Sequence, residues 1–118
     1  MANELSATIS ITFSKGGAEV NRAESIEITV TGDAYTAGVQ EIGTTEEAVA
    51  QGSELGTPGW IFIKNIDDTN YVEFGISTGV YTTKIIAGKF AWFFVNGATL
   101  YAKANTAACN IDYIWFEL

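Results

Sequence analysis

The sequence predicts an all-β protein, an antiparallel β-sandwich with jelly-roll or Greek-key crossing of its strands, and three observations lead there. Apolar and polar residues alternate with a period of two through much of the chain. Glycine and Asn/Asp-rich turn signals interrupt the alternation at short intervals, and no window carries a sustained 3.6-residue apolar period. Short strands at this spacing bury their apolar faces by packing as two sheets.

Leu5, Ala7, Ile9, Ile11 and Phe13 share one parity, and Ser6, Thr8, Ser10, Thr12 and Ser14 the other, which predicts a long strand with one buried and one wet face. Lys15-Gly16-Gly17 ends it. Ile26, Ile28 and Val30 then alternate inward against Glu27, Thr29 and Thr31. Thr31-Gly32-Asp33 reads as a turn, and residues 35–42 as a third strand in which Gly38 marks a bulge. Thr44-Thr45-Glu46-Glu47 has the spacing of a helix capping box, but only Ala48, Val49 and Ala50 follow before Gly52, so a helical turn and an extended segment fit equally.

The glycine-rich stretch 52–59, with the sole proline, leads into Trp60-Ile61-Phe62-Ile63. Apolar at every position, this run predicts a central strand covered on both faces. Residues 65–70, Asn-Ile-Asp-Asp-Thr-Asn, are turn formers and predict a hairpin to residues 71–76, with Val72, Phe74 and Ile76 on one face. Further strands are expected over 83–86, 89–95, 100–104 and 111–116, for a total of about nine.

A chain of 118 residues holds one core, so 1–118 reads as a single β-sandwich domain. Apolar residues at 47 % and aromatics at 13 % suffice to fill it. A net charge of −8 opposes nucleic acid and anionic membranes as partners. No apolar run approaches the roughly 20 residues that span a bilayer. The start, Met1-Ala2-Asn3-Glu4, lacks the basic and apolar stretches of an export signal, which points to a cytoplasmic origin. Cys109, the single cysteine, is expected as a small buried apolar residue.

The absence of histidine removes the commonest general base and zinc ligand. Asp67, Asp68, Glu73 and Asp112 are the carboxylates on which a glycosidase pair or a calcium site would draw. Asp67 and Asp68, however, occupy a turn that needs such side chains locally, and Glu73 alternates with apolar neighbours as a solvent-facing strand residue does. The glycines at 52, 56 and 59 are not followed by a lysine and open no phosphate loop. Arg22 and the scattered lysines form no basic stripe. No catalytic residue, metal site or cofactor is predicted.

Trp60, Trp92 and Trp115 admit sugar stacking, but each sits inside an apolar strand and is expected in the core or at a subunit interface. The last strand carries large apolar groups on both parities, so both its faces are expected to be covered. In so small a domain a symmetric oligomer supplies that cover. The candidate interface residues are Ile9, Ile11, Trp60, Trp115 and Phe116.

The phrase Gly56-Thr57-Pro58-Gly59-Trp60-Ile61-Phe62-Ile63-Lys64-Asn65-Ile66-Asp67-Asp68-Thr69-Asn70-Tyr71-Val72-Glu73-Phe74-Gly75 resembles one in small virion proteins of tailed bacteriophages. Lys84-Ile85-Ile86-Ala87-Gly88-Lys89-Phe90 and Leu100-Tyr101-Ala102-Lys103-Ala104-Asn105-Thr106 resemble their later strands, which close on a short strand like Tyr113 to Leu118. The likeness covers residues 35 to 118. It implies a β-sandwich structural protein of the capsid decoration or cement type, a homotrimer on the capsid surface made in the bacterial host cytoplasm. Its implied partners are the major capsid protein or other virion subunits, and it implies no catalytic residue. The alternative is a tail or fibre module contacting a host-surface glycan. Residues 5–13 lie outside the likeness; their Ser/Thr-faced strand suits pairing within its own sheet or addition to the edge of a neighbour's.

Overall fold

The computed structural model describes residues 4–117, all in strands, turns and loops. The strands are β1 (Leu5–Lys15), β2 (Ala18–Ile28), β3 (Tyr35–Ile42), β4 (Glu47–Ala48), β5 (Pro58–Asn65), β6 (Val72–Gly75), β7 (Thr83–Ile85), β8 (Phe90–Phe94), β9 (Tyr101–Ala104) and β10 (Cys109–Glu117). Every pairing between them is antiparallel. The chain divides into two compact units at Thr31/Gly32. Both four-stranded sheets lie in the second unit.

The first unit is a hairpin. β1 and β2 pair in unbroken register from Leu5↔Ile28 to Lys15↔Ala18. Gly16 and Gly17 turn the chain at φ 62° and 87°, the two successive positive values a two-residue hairpin loop demands and glycine adopts without strain. The second strand thus starts at Ala18, directly after the turn, although polar residues hide its alternation until Ile26. The expected half-burial of β1 is not found: Ile9, Ile11, Phe13 and Val20 are each 48–51 % exposed. Ile26 is exposed as well, and only Leu5, Ala7, Ile28 and Val30 on that parity are half-buried.

The second unit holds two four-stranded sheets, ordered β3-β10-β5-β8 and β4-β9-β6-β7. Their inner faces share one core. Ile42, Ile61, Ile63, Ile111 and Trp115 enter it from the first sheet, and Val72, Phe74, Ile85, Ala102 and Ala104 from the second. Burying each of the larger aliphatic or aromatic side chains contributes about 1.5–3 kcal/mol. This is the antiparallel sandwich that the alternation predicted.

β5 lies inside its sheet, between β10 and β8, as its apolar run implied. The hairpin expected between it and β6 does not form. β5 pairs with β10 and β8, whereas β6 pairs with β7 and β9 in the other sheet, so residues 66–71 arch from one layer to the other. Turn chemistry reverses a chain in either case; long-range pairing chooses the sheet. Ile76 accordingly falls beyond the end of β6 and is exposed, apart from Val72 and Phe74.

Gly38 forms no bulge, since β3 runs in continuous register along β10 from Tyr35↔Phe116 to Ile42↔Cys109. The irregularity lies between Trp115 and Glu117, against β5. The capping-box segment is extended. The Glu47 carboxylate accepts from Gly43 N and Gln40 Nε2, and Gln40 also bonds Ala48 O and Ala50 N, tying β4 to β3 without a helix.

Candidate functional site

The outer faces of the two sheets differ in kind. On the β4-β9-β6-β7 sheet, Glu73 stands opposite Lys84 on one side and Lys103 on the other. Opposite charges side by side across strands are what a solvated sheet face carries. On the β3-β10-β5-β8 sheet the outward parity reads Tyr35, Ala37 and Val39 on β3, Ile114 and Phe116 on β10, Trp60 and Phe62 on β5, and Phe90, Trp92 and Phe94 on β8. Its polar members, Glu41, Asn110, Asp112 and Lys64, gather at one end.

The rings on this face pack on one another. Trp60 and Trp92 stack with centroids 5.1 Å apart and planes 10° from parallel. Phe94 meets Trp60 edge-on at 5.5 Å, Phe116 meets Trp92 at 5.9 Å, and Phe62 lies 5.8 Å from Phe90. The cluster prearranges the surface at small entropic cost, because each ring is already held by its neighbours. Tyr35, Val39, Phe90 and Phe94 remain 66 %, 63 %, 60 % and 45 % exposed.

A second apolar surface lies on the hairpin. Leu5, Ala7, Ile9, Ile11 and Phe13 share a face with their partners Ile28, Ile26, Glu24, Arg22 and Val20. The other face is hydroxyl-rich, with Thr8 Oγ1 and Ser25 Oγ 2.9 Å apart.

Of the candidate interface residues, Ile9 and Ile11 are thus exposed on the hairpin, and Trp60 and Phe116 lie half-buried on the aromatic face. Trp115 is corrected. It points the opposite way from Phe116, is 0 % exposed, and belongs to the core. Tyr35, Val39, Phe62, Phe90 and Phe94 complete the surface and were not singled out. The signal for them was present: Trp60-Ile61-Phe62-Ile63 and Phe90-Ala91-Trp92-Phe93-Phe94 are apolar on both parities, although only one parity can face the core.

The carboxylates serve the backbone. Asp67 Oδ2 accepts from Thr69 N at 2.9 Å and Asn70 N at 2.7 Å, and these two donors hold its pKa below the usual value. Glu117 spans from β10 to two loops: Oε2 accepts from Ala34 N and Asp33 N, and Oε1 from Gly56 N at 2.7 Å. Those bonds, led by Ala34 and Gly56, lower its pKa against the opposing effect of burial. Glu46 Oε1 accepts from Tyr81 Oη at 2.5 Å and Gly79 N at 2.7 Å. The Tyr81 hydroxyl, then the Gly79 amide, lowers Glu46, and the bond to Glu46, then burial, raises Tyr81 to about 12. Burial, then the charge of Asp67, pushes the Cys109 thiol up and leaves it protonated. Among the described residues no three His, Cys, Asp or Glu side chains converge as a metal site would need.

Compared with known proteins, the chain matches no family model, no curated protein sequence and no solved structure.

Proposed function

We propose that the protein is a structural subunit of a tailed-phage virion, a capsid decoration or cement protein that binds the assembled shell and catalyses no reaction. The observation that carries this reading is the hairpin. A two-stranded sheet alone is marginally stable in water, yet this one extends for 11 residues per strand with an apolar face half exposed. Such a hairpin suits a protein surface that lies flat against it, or a sheet edge to which it adds through main-chain hydrogen bonds.

The chain's likeness to small virion proteins over residues 35 to 118 supports the same reading. So does the strand order: every connection from β3 to β10 except β6–β7 crosses between sheets, and we read the sandwich as a jelly roll. In this reading the subunit is an oligomer of identical copies on the capsid surface, and the major capsid protein is its partner. Many copies that bind only the assembled lattice stabilise it by mass action. A net charge of −8 keeps the decorated particles apart.

A second reading, a tail or fibre module for a host-surface glycan, is favoured by the stacked and half-exposed Trp60 and Trp92. Immunogold microscopy of the parent virus with antibody to the purified chain separates the two. Label spread over the head is the expected result; label confined to the tail favours the second reading, and unlabelled particles overturn both.

A further inference from the structure

We infer that the outer aromatic face of the β3-β10-β5-β8 sheet is the contact surface between copies of this chain. The inference rests on the oligomeric half of the reading above and is independent of its virion half. The sister sheet is the internal control. Packed on the same core, it turns Glu73, Lys84 and Lys103 outward, whereas this sheet turns out indole and phenyl rings.

The area is sufficient. At about 200 Å² per aromatic side chain, the exposed fractions of Tyr35, Phe90 and Phe94 leave roughly 340 Å² of ring surface. Val39 and the half-buried rings between these edges raise the patch to roughly 600 Å², the upper end of what a soluble monomer exposes. Two such patches face to face bury about 1,200 Å², which reaches the range of specific, stable interfaces.

Composition selects the occupant. An aromatic face whose charges are confined to its rim matches the surface between identical subunits, which resembles a core cut in half, better than that of a transient partner. A second copy is the partner present in equal supply from synthesis onward. Self-repulsion does not forbid the contact. On this face the charges are Glu41, Lys64 and Asp112 at one end, with Asp112 and Lys64 opposite each other in register, so most of the acidic excess lies elsewhere.

Sedimentation equilibrium of the full chain tests the inference, comparing wild type with Tyr35→Glu/Phe90→Glu and with the hairpin variant Ile11→Glu. Wild type is expected at twice 12.7 kDa or a higher integer multiple of it. The double variant should fall to the single-chain mass, with self-association weakened by at least about 100-fold, tenfold for each ~1.4 kcal/mol that a carboxylate costs in an apolar contact. Ile11→Glu should keep the wild-type mass. Should the double variant fail to retain the near-ultraviolet signal of the buried Trp115, Val39→Lys, at a 63 % exposed edge position on the same face, replaces it. A wild type that stays monomeric at about 100 µM, far above the dissociation constants of standard-size interfaces, overturns the inference. If its indole fluorescence then shifts with added sugar, the face belongs to a glycan. Loss of mass in Ile11→Glu alone also overturns it and moves the contact to the hairpin. None of these outcomes bears on where gold label falls, so the two proposals fail separately.

Discussion

Replacing Asn65 by leucine tests whether one buried amide holds the sandwich layers in register. Asn65 is fully buried at the end of β5. Its Nδ2 donates to Asn70 O at 2.9 Å and Ile85 O at 3.0 Å, and its Oδ1 accepts from Asp67 N at 3.0 Å. One side chain therefore fastens the arch between the sheets to the end of β7. Leucine fills nearly the same volume, so the packing loss is small and the hydrogen-bond loss dominates. Three bonds at about 1 kcal/mol each, with the buried Ile85 carbonyl left unpaired at a further 1–2 kcal/mol, give a destabilisation of about 4 kcal/mol. That is a large part of the 5–15 kcal/mol typical of a domain. In urea, with a slope of about 2 kcal/mol per molar, the midpoint should fall by about 2 M. The unfolding transition is followed by tryptophan fluorescence at one fixed protein concentration, since self-association adds to apparent stability. Asn65→Asp keeps the shape but turns an oxygen toward two carbonyls, and should cost at least as much. A loss under about 1 kcal/mol for Asn65→Leu would refute the reasoning, because the amide would then have no more than the worth of an exposed bond.

Acid should weaken the fold through Glu117. Its folded pKa lies below the ordinary 4.5, so its contribution is complete above that value and disappears as the pH falls through the lowered folded pKa. Glu117→Gln should be less stable at pH 7 and show a shallower loss in acid; Glu46 and Asp67, shifted the same way, keep the slope from vanishing. Equal acid slopes in wild type and variant, from urea midpoints across pH 3–7, would remove Glu117 from the account. Among glycines, the structure ranks two substitutions. A Cβ on Gly75 would sit 1.8 Å from the backbone oxygen of Val80, whereas one on Gly56 would meet the movable end of Glu117 at 2.2 Å. Gly75→Ala should cost at least about 2 kcal/mol and Gly56→Ala a fraction of that; thermal melts showing the reverse order would contradict the geometry.

Period-two alternation carried the fold class and most strand positions, because each strand's inward residues had to be apolar whatever their partner. It placed β3 at Tyr35–Ile42, and the unbroken apolar run Trp60-Ile61-Phe62-Ile63 placed β5. It could not assign partners. Residues 65–70 look the same whether they close a hairpin or arch between sheets, and β5–β10 and β5–β8 pairing is set by contacts distant in sequence. It also failed to choose between parities where both are apolar. Trp115 and Phe116 are adjacent and both large, and a one-residue slip would exchange them between core and surface. The run Ile111, Tyr113, Trp115 won the interior together with Cys109, leaving Ile114 and Phe116 on the outer face. The hairpin misled in the opposite direction. Its clean alternation predicts a buried face, and alternation says which residues belong together without saying what covers them.

The acidic residues bring function and fold into one argument. A general acid at neutral pH needs a carboxyl whose pKa is raised, which burial or a neighbouring negative charge provides. Glu46, Asp67 and Glu117 are shifted the other way, because N–H donors at Gly79, Thr69, Asn70, Ala34 and Gly56 favour their charged forms. Each therefore serves as a staple, satisfying loop amides that a short-stranded sandwich would otherwise leave to water. The same economy explains why Asp67 and Asp68 attract attention in the sequence: carboxylates beside a turn are as useful for closing the turn as for chemistry, and here Thr69 and Asn70 claim them. What the staples leave over is surface. The sheet carrying Glu73, Lys84 and Lys103 turns charge outward and the other turns out aromatic rings, while Glu46, Asp67 and Glu117 are tied to loop amides.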